Sequence, residues 1–461
     1  MNLQQKILYG AGFWGEKAFH IYKEYVYAFV DMNKHGSTFL GKPILHPSEL
    51  VALQEKYDII ICTEKYIDVI EYFKYIGVTE YQVFLQQTHS CPKNHIDTIA
   101  LNCFEYHRSP YLCLDGILTE EVRGGNNNIE LSERISSAYK KLFSEKYTYG
   151  DGMWFGINEL KQDVHNALLS NDMKALSEIF VYPENNNLLF GFDNICKVTF
   201  DIVYTKKNFK KYITTYDYSA IIRLGEAWGA IRLDNPENKR ILIEPSKYEK
   251  PQVIIRKLEE LFSCKIDFPN PYNGEIGLLV GDKIVSTRAI QALHQAFTIY
   301  EKIGRNKSAR ILEIGAGTGR TAYFVRSLFG IKDYTIIDLP LTGVASAYFL
   351  GKTLGENAIS LYGEPERPEA IRILPPDSFL ENDLGMFDII LNCDSITEMD
   401  FGTMNAYWKR IKESSYSFLS VNHESNKHTL RELVANDPAV KTCSRSPYWM
   451  RQGYVEEFIT F

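Results

Sequence analysis

Residues 308–338 read SARILEIGAGTGRTAYFVRSLFGIKDYTIID, and this stretch decides the fold of the second half of the chain. A short apolar run is followed by Gly315, Gly317 and Gly319 at alternate positions, then by an amphipathic segment and a second apolar run that ends at Asp338. This periodicity predicts a strand, a glycine turn, a helix and a second strand. Such a β-α-β unit is expected to bind a ligand at the turn.

The spacing of the glycines indicates which ligand the turn accepts. Dinucleotide folds space their glycines to seat a pyrophosphate on a helix N-terminus, whereas here every second residue is glycine and the turn is more open. Without Cβ atoms, a ribose and an amino-acid tail can lie directly against the backbone. Asp338 follows about 20 residues later, where an acceptor for the ribose diol is expected. These features favour S-adenosylmethionine over NAD.

Four segments, in this order, carry a family resemblance: EIGAGTGRTA, YTIIDLPL, LNCDSITEM and FLSVNHE. The first two resemble motif I and the following acid of the class I S-adenosylmethionine-dependent methyltransferases. Residues 275–461 as a whole resemble the sugar O-methyltransferases of surface-polysaccharide gene clusters. The resemblance implies a Rossmann-like fold and methyl transfer to a hydroxyl of a nucleotide-sugar or of a surface-glycan precursor.

The resemblance also implies a set of cofactor-binding residues: Glu313, Gly315, Gly317, Gly319, Asp338 and Asp377. Glu313 is expected to receive the ammonium group of the cofactor, and the alternative is a solvated strand end. Asp377 is expected to approach the adenine amino group. Arg320, on the first turn of the helix, has either a contact with the cofactor or acceptor, or a surface role.

The chemistry of methyl transfer directs attention to the ends of two later strands. A sugar hydroxyl is a poor nucleophile while it is protonated, so a base with a pKa near 7 is expected beside it. His423 is placed at such a strand end, and we predict that it is the base, with Asp394 and Glu424 as its catalytic partners. The alternative is a histidine that only hydrogen-bonds at a strand terminus. Asp394, Glu398 and Glu424 are also candidate ligands for Mg²⁺, because hard cations prefer carboxylate oxygens.

Residues 6–90 form a second unit of the same kind. The sequence KILYGAGFWGEKAFHIY predicts a strand, a turn with Gly10, Gly12 and Gly15 in the dinucleotide spacing, and a helix. Asp31 ends the next predicted strand, where it can accept a ribose hydroxyl. The segment resembles the small Rossmann-like domains of nucleotide-sugar enzymes, such as the N-terminal domains of sialic-acid and bacillosamine acetyltransferases, which implies a bound nucleotide-sugar. Alternatively, its glycines serve only to let the helix and strand pack closely.

The predicted architecture is α/β throughout, in three segments. Residues 1–95 form the small Rossmann-like domain, residues 96–275 a mostly helical linker and cap, and residues 276–461 the methyltransferase domain with a Rossmann-like sheet. Within the middle segment, apolar periodicity predicts helices over residues 132–144, 156–170 and 173–180. A cap of this kind is expected to cover the acceptor and exclude water from the reactive sulfonium.

Composition limits the partners. The 461 residues carry a formal net charge of -7, which argues against a nucleic-acid or membrane-surface partner, since a phosphate polymer requires a basic face. The sequence contains neither an uninterrupted apolar run of about 18 residues nor a signal-peptide pattern at its start, so we predict no transmembrane segment and a cytoplasmic location. The identity of the sugar, the hydroxyl that is methylated and the formation of a homo-oligomer stay open.

Two other functions are compatible with these motifs. The first is an NAD-dependent nucleotide-sugar oxidoreductase or epimerase, based on the N-terminal glycine turn, although that domain is short for this task. The second is a non-catalytic scaffold whose two nucleotide folds only sense metabolites.

Overall fold

A computed structural model describes residues 5–63, 66–84, 116–144, 153–201, 209–232, 249–435 and 437–461. Its internal contacts divide the chain into two units, residues 1–112 and 113–461. The predicted boundary near residue 95 lies outside the described residues, and the division into three segments stays a prediction.

The N-terminal unit contains one sheet with flanking helices. Its strands are β1 (Lys6–Tyr9), β2 (Val26–Val30), β3 (Thr38–Phe39), β4 (Lys42–Leu45), β5 (Asp58–Ile61) and β6 (Gln82–Val83), and its helices are Phe13–Tyr22, Leu50–Leu53 and Tyr66–Ile76. The sheet order is β3-β4-β2-β1-β5-β6, and its pairs are parallel except for β3 with β4. Because the chain leaves β1 towards β2 and later returns to β5 on the other side, the glycine turn after β1 lies at a topological switch point.

The C-terminal unit is built on an eight-stranded sheet. Before this sheet come β7 (Thr119–Glu121), β8 (Ile276–Val280) and β9 (Lys283–Val285), and the sheet itself contains β10 (Ile311–Ile314), β11 (Tyr334–Ile337), β12 (Ile359–Leu361), β13 (Ile371–Leu374), β14 (Ile389–Cys393), β15 (Ser417–His423), β16 (Thr442–Pro447) and β17 (Tyr454–Thr460). Its helices are Thr287–Lys302, Arg320–Phe329, Pro340–Leu354, Pro376–Leu380, Phe401–Ser414 and Leu430–Val434. All four residues of β10 and of β11 are buried, as expected for central strands covered on both faces.

The strand order of this large sheet is β12-β13-β11-β10-β14-β15-β17-β16. The pairs from β12 to β15 are parallel, whereas β17 runs antiparallel to both of its neighbours. A dinucleotide-binding sheet follows the order 3-2-1-4-5-6, so the inserted antiparallel strand is a departure from that pattern. The chain reverses direction across the sheet between β10 and β14, which places the predicted ligand turn at the switch point.

The middle of the chain is mostly helical. Its helices are Ile129–Ser144, Met153–Glu159, Gln162–Ser170, Met173–Val181, Lys197–Thr199, Phe209–Ala227 and Pro251–Phe262. The prediction of a single helix over residues 156–170 is wrong, because the helix breaks at Leu160 and Lys161, and Lys161 turns its side chain into the protein. Strand β7 was not predicted, and it pairs with β8 in a small antiparallel sheet with β9.

The predicted α/β class, with two Rossmann-like sheets and a mostly helical middle region, is confirmed. In the large sheet, β13 lies beside β11, and β12 is the edge strand next to β13. None of the helices in the described part of the chain is both long enough and apolar enough to span a membrane.

Candidate active site

A cavity of about 420 Å³ lies at the carboxyl ends of β10, β11 and β14, beside the switch point. The predicted site residues that line it are Glu313, Gly315, Gly317, Asp338, Asp377, Asp394 and Glu398. Gly319, His423 and Glu424 are not part of its lining. Residues that are far apart in the chain therefore meet around one space, as the carboxyl ends of parallel strands require.

The glycine turn forms one wall of this cavity. Gly315 and Gly317 both have positive φ angles, of 77° and 61°, which side chains adopt only with strain. A Cβ atom on Gly315 would overlap the side chain of Ser395, and a Cβ atom on Gly317 would lie 3.3 Å from the ring of Phe192. The backbone of the turn can therefore approach its surroundings this closely only because both residues are glycine.

Asp338 lies directly across from the turn, at the end of β11. Its Oδ2 accepts a hydrogen bond from the backbone N–H of Gly317 at 3.0 Å, and its Oδ1 accepts one from the N–H of Leu339 at 2.8 Å. Burial raises the pKa of Asp338 to about 7, although these backbone donors act in the opposite direction. A buried carboxylate held against a glycine turn is well suited to accept two adjacent hydroxyl groups.

Glu313 lies at the end of β10 and is 3 % exposed, so the alternative of a solvated strand end is wrong. Its Oε2 accepts a hydrogen bond from the Tyr334 hydroxyl at 2.8 Å. Burial raises the pKa of Glu313 to about 7, against the effect of that hydrogen bond. A buried acid of this kind is stabilised in its charged form by a ligand cation. Asp377 also lines the cavity, at the start of the helix after β13.

A second cluster of ionisable groups contains Asp394, Glu398 and His423, each of which offers a ligand atom within 4.8 Å of the others. Asp394 follows β14 with a φ angle of 58°, which is unusual for a residue with a side chain and is typical of functional sites. Its carboxylate accepts hydrogen bonds from Arg451 at 2.7 Å and from the Tyr454 hydroxyl at 2.8 Å. Burial would raise the pKa of Asp394, but these partners outweigh burial and lower it.

Glu398 is the member of this cluster that lines the cavity together with Asp394. Burial and the neighbouring Asp394 carboxylate raise the pKa of Glu398 to about 7. Its Oε2 accepts a hydrogen bond from the indole N–H of Trp154 at 3.0 Å. A carboxylate with a pKa near neutrality, facing a cavity, has the properties of a general base.

His423 lies behind Asp394, and its Nε2 is 3.8 Å from Asp394 Oδ1. Its Nδ1 is hydrogen-bonded to the Ser425 hydroxyl at 2.7 Å, and burial lowers the pKa of the imidazole. Glu424 is directed elsewhere, because its carboxylate accepts a hydrogen bond from Arg445 at 2.7 Å. The structure therefore brings Asp394, Glu398 and His423 together and leaves Glu424 apart from them.

The cluster fits Mg²⁺ poorly. Both oxygens of Asp394 already accept hydrogen bonds, from Arg451 and from Tyr454, and the positive charge of Arg451 disfavours a divalent cation beside this carboxylate. Mg²⁺ demands near-octahedral oxygen coordination, and one imidazole with one further carboxylate contributes little to it. These residues therefore do not favour a metal ion at this cluster.

Residues 154–193 of the helical region cover this side of the cavity. Trp154, Asn158, Gly191 and Phe192 belong to the lining. Trp154 is tied to the large sheet through its hydrogen bond to Glu398. The predicted cap thus contributes side chains to the site itself.

Arg320 links the helix that follows β10 to the helical region through buried ion pairs. It is 4 % exposed and forms ion pairs with Glu275 at 2.9 Å and with Asp193 at 3.5 Å. Its guanidinium also lies over the ring of Phe349. The alternative of a surface role is therefore wrong, and Arg320 borders the cavity from a buried ion cluster.

No family model and no curated protein match this chain. Solved structures that resemble part of it include the glycopeptide N-methyltransferase MtfA, with 18 % identity, coverage of 37 % of this chain and 90 % of that chain, and a TM-score of 0.28. Another is magnesium protoporphyrin IX methyltransferase from Synechocystis PCC 6803 with bound SAM, with 11 % identity, coverage of 39 % of this chain and 87 % of that chain, and a TM-score of 0.28. The METTL16 methyltransferase domain has 15 % identity, coverage of 45 % and 79 %, and a TM-score of 0.29.

The N-terminal glycine turn has a comparable construction. Asp31 Oδ2 accepts a hydrogen bond from the backbone N–H of Ala11 at 3.2 Å, and the Lys34 ammonium donates to the carbonyl of Ala11 at 2.6 Å. A Cβ atom on Gly15 would overlap the carbonyl oxygen of Gly10, whereas Gly12 has open space around it. The predicted nucleotide residues are thus grouped at one turn.

Several residues around the C-terminal cavity were not predicted from the sequence. They are Trp154, Asn158, Phe192, Arg288, Gln295, Tyr407 and Arg451. Most come from helices that have no motif, and only the tertiary fold brings them to the strand ends. The aromatic pair at residues 154–155, in a region predicted to be a cap, was the one signal that could have indicated a role.

Proposed function

We propose that the C-terminal unit is an S-adenosylmethionine-dependent O-methyltransferase that acts on a sugar hydroxyl. The observation that carries this proposal is the cavity at the switch point, which has a bare glycine turn with Asp338 and Glu313 on one side and the pair Asp394 and Glu398 on the other. The two sides suit two substrates, a charged nucleoside and a polyhydroxylated acceptor.

The donor side fits a sulfonium nucleoside through its charges. Glu313 is a buried acid with a raised pKa, so the ammonium group of an amino-acid tail would stabilise its carboxylate. Asp338 would accept the two ribose hydroxyls beside Gly317, and Asp377 would accept the adenine amino group. When bound, the donor supplies an electrophilic methyl group on positively charged sulfur.

The acceptor side provides the base. We assign Glu398 as the group that takes the hydroxyl proton, because it lines the cavity and has a pKa near 7. The hydroxyl oxygen then forms its bond to the methyl carbon as the bond from carbon to sulfur breaks, leaving a neutral thioether. His423, the base predicted from the sequence, lies behind Asp394 and is the alternative proton acceptor.

A sugar acceptor accounts for the remaining lining. Carboxylates such as Asp394 and Asp400 can accept hydrogen bonds from hydroxyl groups, and the ring of Trp154 offers a flat apolar face for stacking. The N-terminal unit would bind a nucleotide-sugar at its own turn, beside Asp31, in keeping with the resemblance of that segment. The predicted cytoplasmic location stays a prediction.

The first experiment is calorimetry with S-adenosylhomocysteine and NADH on the full-length chain. Binding of the sulfur nucleoside without binding of NADH supports the proposal, whereas the reverse result favours the oxidoreductase. Methyl transfer is then followed with labelled donor and a panel of nucleotide-sugars. A chain that binds the donor but methylates no member of the panel would leave the non-catalytic sensor as the better description.

The base is tested by comparing Glu398→Gln with His423→Ala. If Glu398 takes the proton, the glutamine variant loses about 10² to 10⁴-fold in kcat, and the histidine variant loses much less. In the unmodified enzyme, log(kcat/KM) is expected to rise with pH up to about 7 and then level off, because the base must be ionised. The opposite order of the two variants would assign the role to His423.

A further inference from the structure

Lys161 is a buried charge without an evident purpose in the fold. It lies between the helices Met153–Glu159 and Gln162–Ser170 and is 1 % exposed. Its ammonium has no hydrogen-bond partner within the described part of the chain. Burying such a group without partners is unfavourable, because it loses its hydration. Burial accordingly lowers the pKa of Lys161 to about 7, against the attraction of Asp338.

The neighbours of this ammonium place it beside the donor side of the cavity. It lies 4.6 Å from the ring centroid of Phe192 and 5.8 Å from that of Trp154, and both rings line the cavity. Phe192 in turn packs against the glycine turn at Gly317. Asp338 is the carboxylate whose charge acts on Lys161 most strongly. The ammonium therefore lies within electrostatic reach of Asp338, next to two rings that line the cavity.

Packing on the two rings does not by itself explain a lysine here. A cation–π contact replaces only part of the hydration that a buried ammonium loses. A leucine or methionine would pack on Phe192 and Trp154 without that loss. A ligand oxygen between Lys161 and Asp338 would give the ammonium the partner it lacks.

We propose that Lys161 is a ligand-binding residue that donates a hydrogen bond to the ribose oxygens of the bound methyl donor. This inference rests on the proposed function. Each ribose hydroxyl can donate to Asp338 and accept from Lys161 at the same time, so the two side chains complement each other. The cap then contributes directly to recognition of the nucleoside as well as covering it.

The test is Lys161→Met, which keeps the apolar stem and removes the charge. In calorimetry on the full-length chain, both S-adenosylhomocysteine and adenosine should bind about 10- to 100-fold more weakly, as for loss of a hydrogen bond from a charged donor. The thermal midpoint of the ligand-free variant should rise, because an unpartnered buried cation has been removed. Lys174→Met, an exposed lysine on the helix Met173–Val181, is the matched control and should change neither quantity.

Three results would overturn the inference. Unchanged affinity for both ligands would exclude a contact, and weaker binding of S-adenosylhomocysteine alone would place the contact on the amino-acid tail. A lower thermal midpoint of the ligand-free variant would assign Lys161 a structural role. A ligand without ribose hydroxyls, 2′,3′-dideoxyadenosine, should bind the variant and the unmodified chain equally. Failure of the unmodified chain to bind S-adenosylhomocysteine would instead overturn the proposed function itself.

Discussion

The chain contains two glycine turns with nearly the same local design, one in each Rossmann-like unit. In both, an aspartate at the end of the neighbouring strand accepts a hydrogen bond from the middle of the turn. Asp31 accepts from Ala11 at 3.2 Å, and Asp338 accepts from Gly317 at 3.0 Å. Backbone geometry alone would therefore assign both turns the same task.

The surroundings of the glycines differ. Gly15 packs on the backbone carbonyl of Gly10 in its own turn, so this glycine is needed for the helix to lie against the strand whatever the unit binds. In the second turn, Gly315 meets the side chain of Ser395, and Gly317 meets that of Phe192. Those residues come from distant parts of the chain and line the cavity. A glycine motif thus reflects either close local packing or a ligand-binding site, and only the residues that surround the glycines in space show which of the two applies.

The largest expected difference between the turns is in donor binding. Asp338→Ala should weaken binding of S-adenosylhomocysteine by about 10² to 10³-fold, because two hydrogen bonds to a charged acceptor are lost. Asp31→Ala, the matched change in the other turn, should leave that affinity unchanged. Calorimetry on both variants measures the contrast.

Asp338→Asn controls for folding, since it keeps the shape of the side chain and should give an intermediate affinity. Equal losses in the two alanine variants would remove the distinction between the turns. If Asp31→Ala abolishes binding of a nucleotide-sugar while it leaves the donor site intact, the distinction becomes sharper, with one ligand for each turn.

A second contrast lies within the N-terminal turn. Gly15→Ala should lower the free energy of unfolding of its unit by about 3 kcal/mol, because the new methyl group overlaps the carbonyl of Gly10 and the helix must shift. Gly12→Ala should cost less than about 1 kcal/mol, since Gly12 has open space and an extended φ angle of -144°. Urea unfolding of the two variants measures the difference.

The same pair of variants separates packing from binding. A Gly12→Ala chain that is stable but no longer binds nucleotide-sugars would indicate a site at this turn. If instead Gly15→Ala proves harmless, the view that these glycines serve close packing is wrong.

The features that the sequence alone could predict are those formed by residues that lie close together in the chain. Residues such as Glu313 and Asp338 were found because strand, turn and acid follow one another within 31 residues. The break in the helix at Lys161 was missed, because the periodicity there continues and only tertiary burial reveals the turn. Likewise, Glu424 was grouped with His423 as its neighbour in sequence, yet it lies just beyond the end of β15, and its carboxylate is bound by Arg445.

The proximity of Glu398 to His423 could not be read from spacing either, since β14 and β15 must pair before the two side chains meet. Motifs therefore identified residues that line the cavity beside the glycine turn. The opposite side of the cavity is formed by contacts between segments that are far apart in the sequence and share no motif. For that side the sequence indicated candidate residues, but it could not show how their side chains are arranged.

The smallest expected effect is a dependence of binding on pH. It tests whether Glu313, beside the second turn, recognises the ammonium group of the donor. Its pKa is about 7 in the ligand-free protein, raised by burial, so below pH 7 the acid is protonated and must lose its proton to bind an ammonium group. The affinity for S-adenosylhomocysteine should therefore fall by up to about tenfold for each pH unit below 7 relative to the affinity for adenosine, which has no ammonium. Taking this ratio cancels the titration of Asp338, because both ligands contain the ribose.

The control is Glu313→Gln, in which the ratio should no longer depend on pH. Parallel pH profiles for the two ligands in the unmodified chain would mean that another residue recognises the ammonium group of the donor.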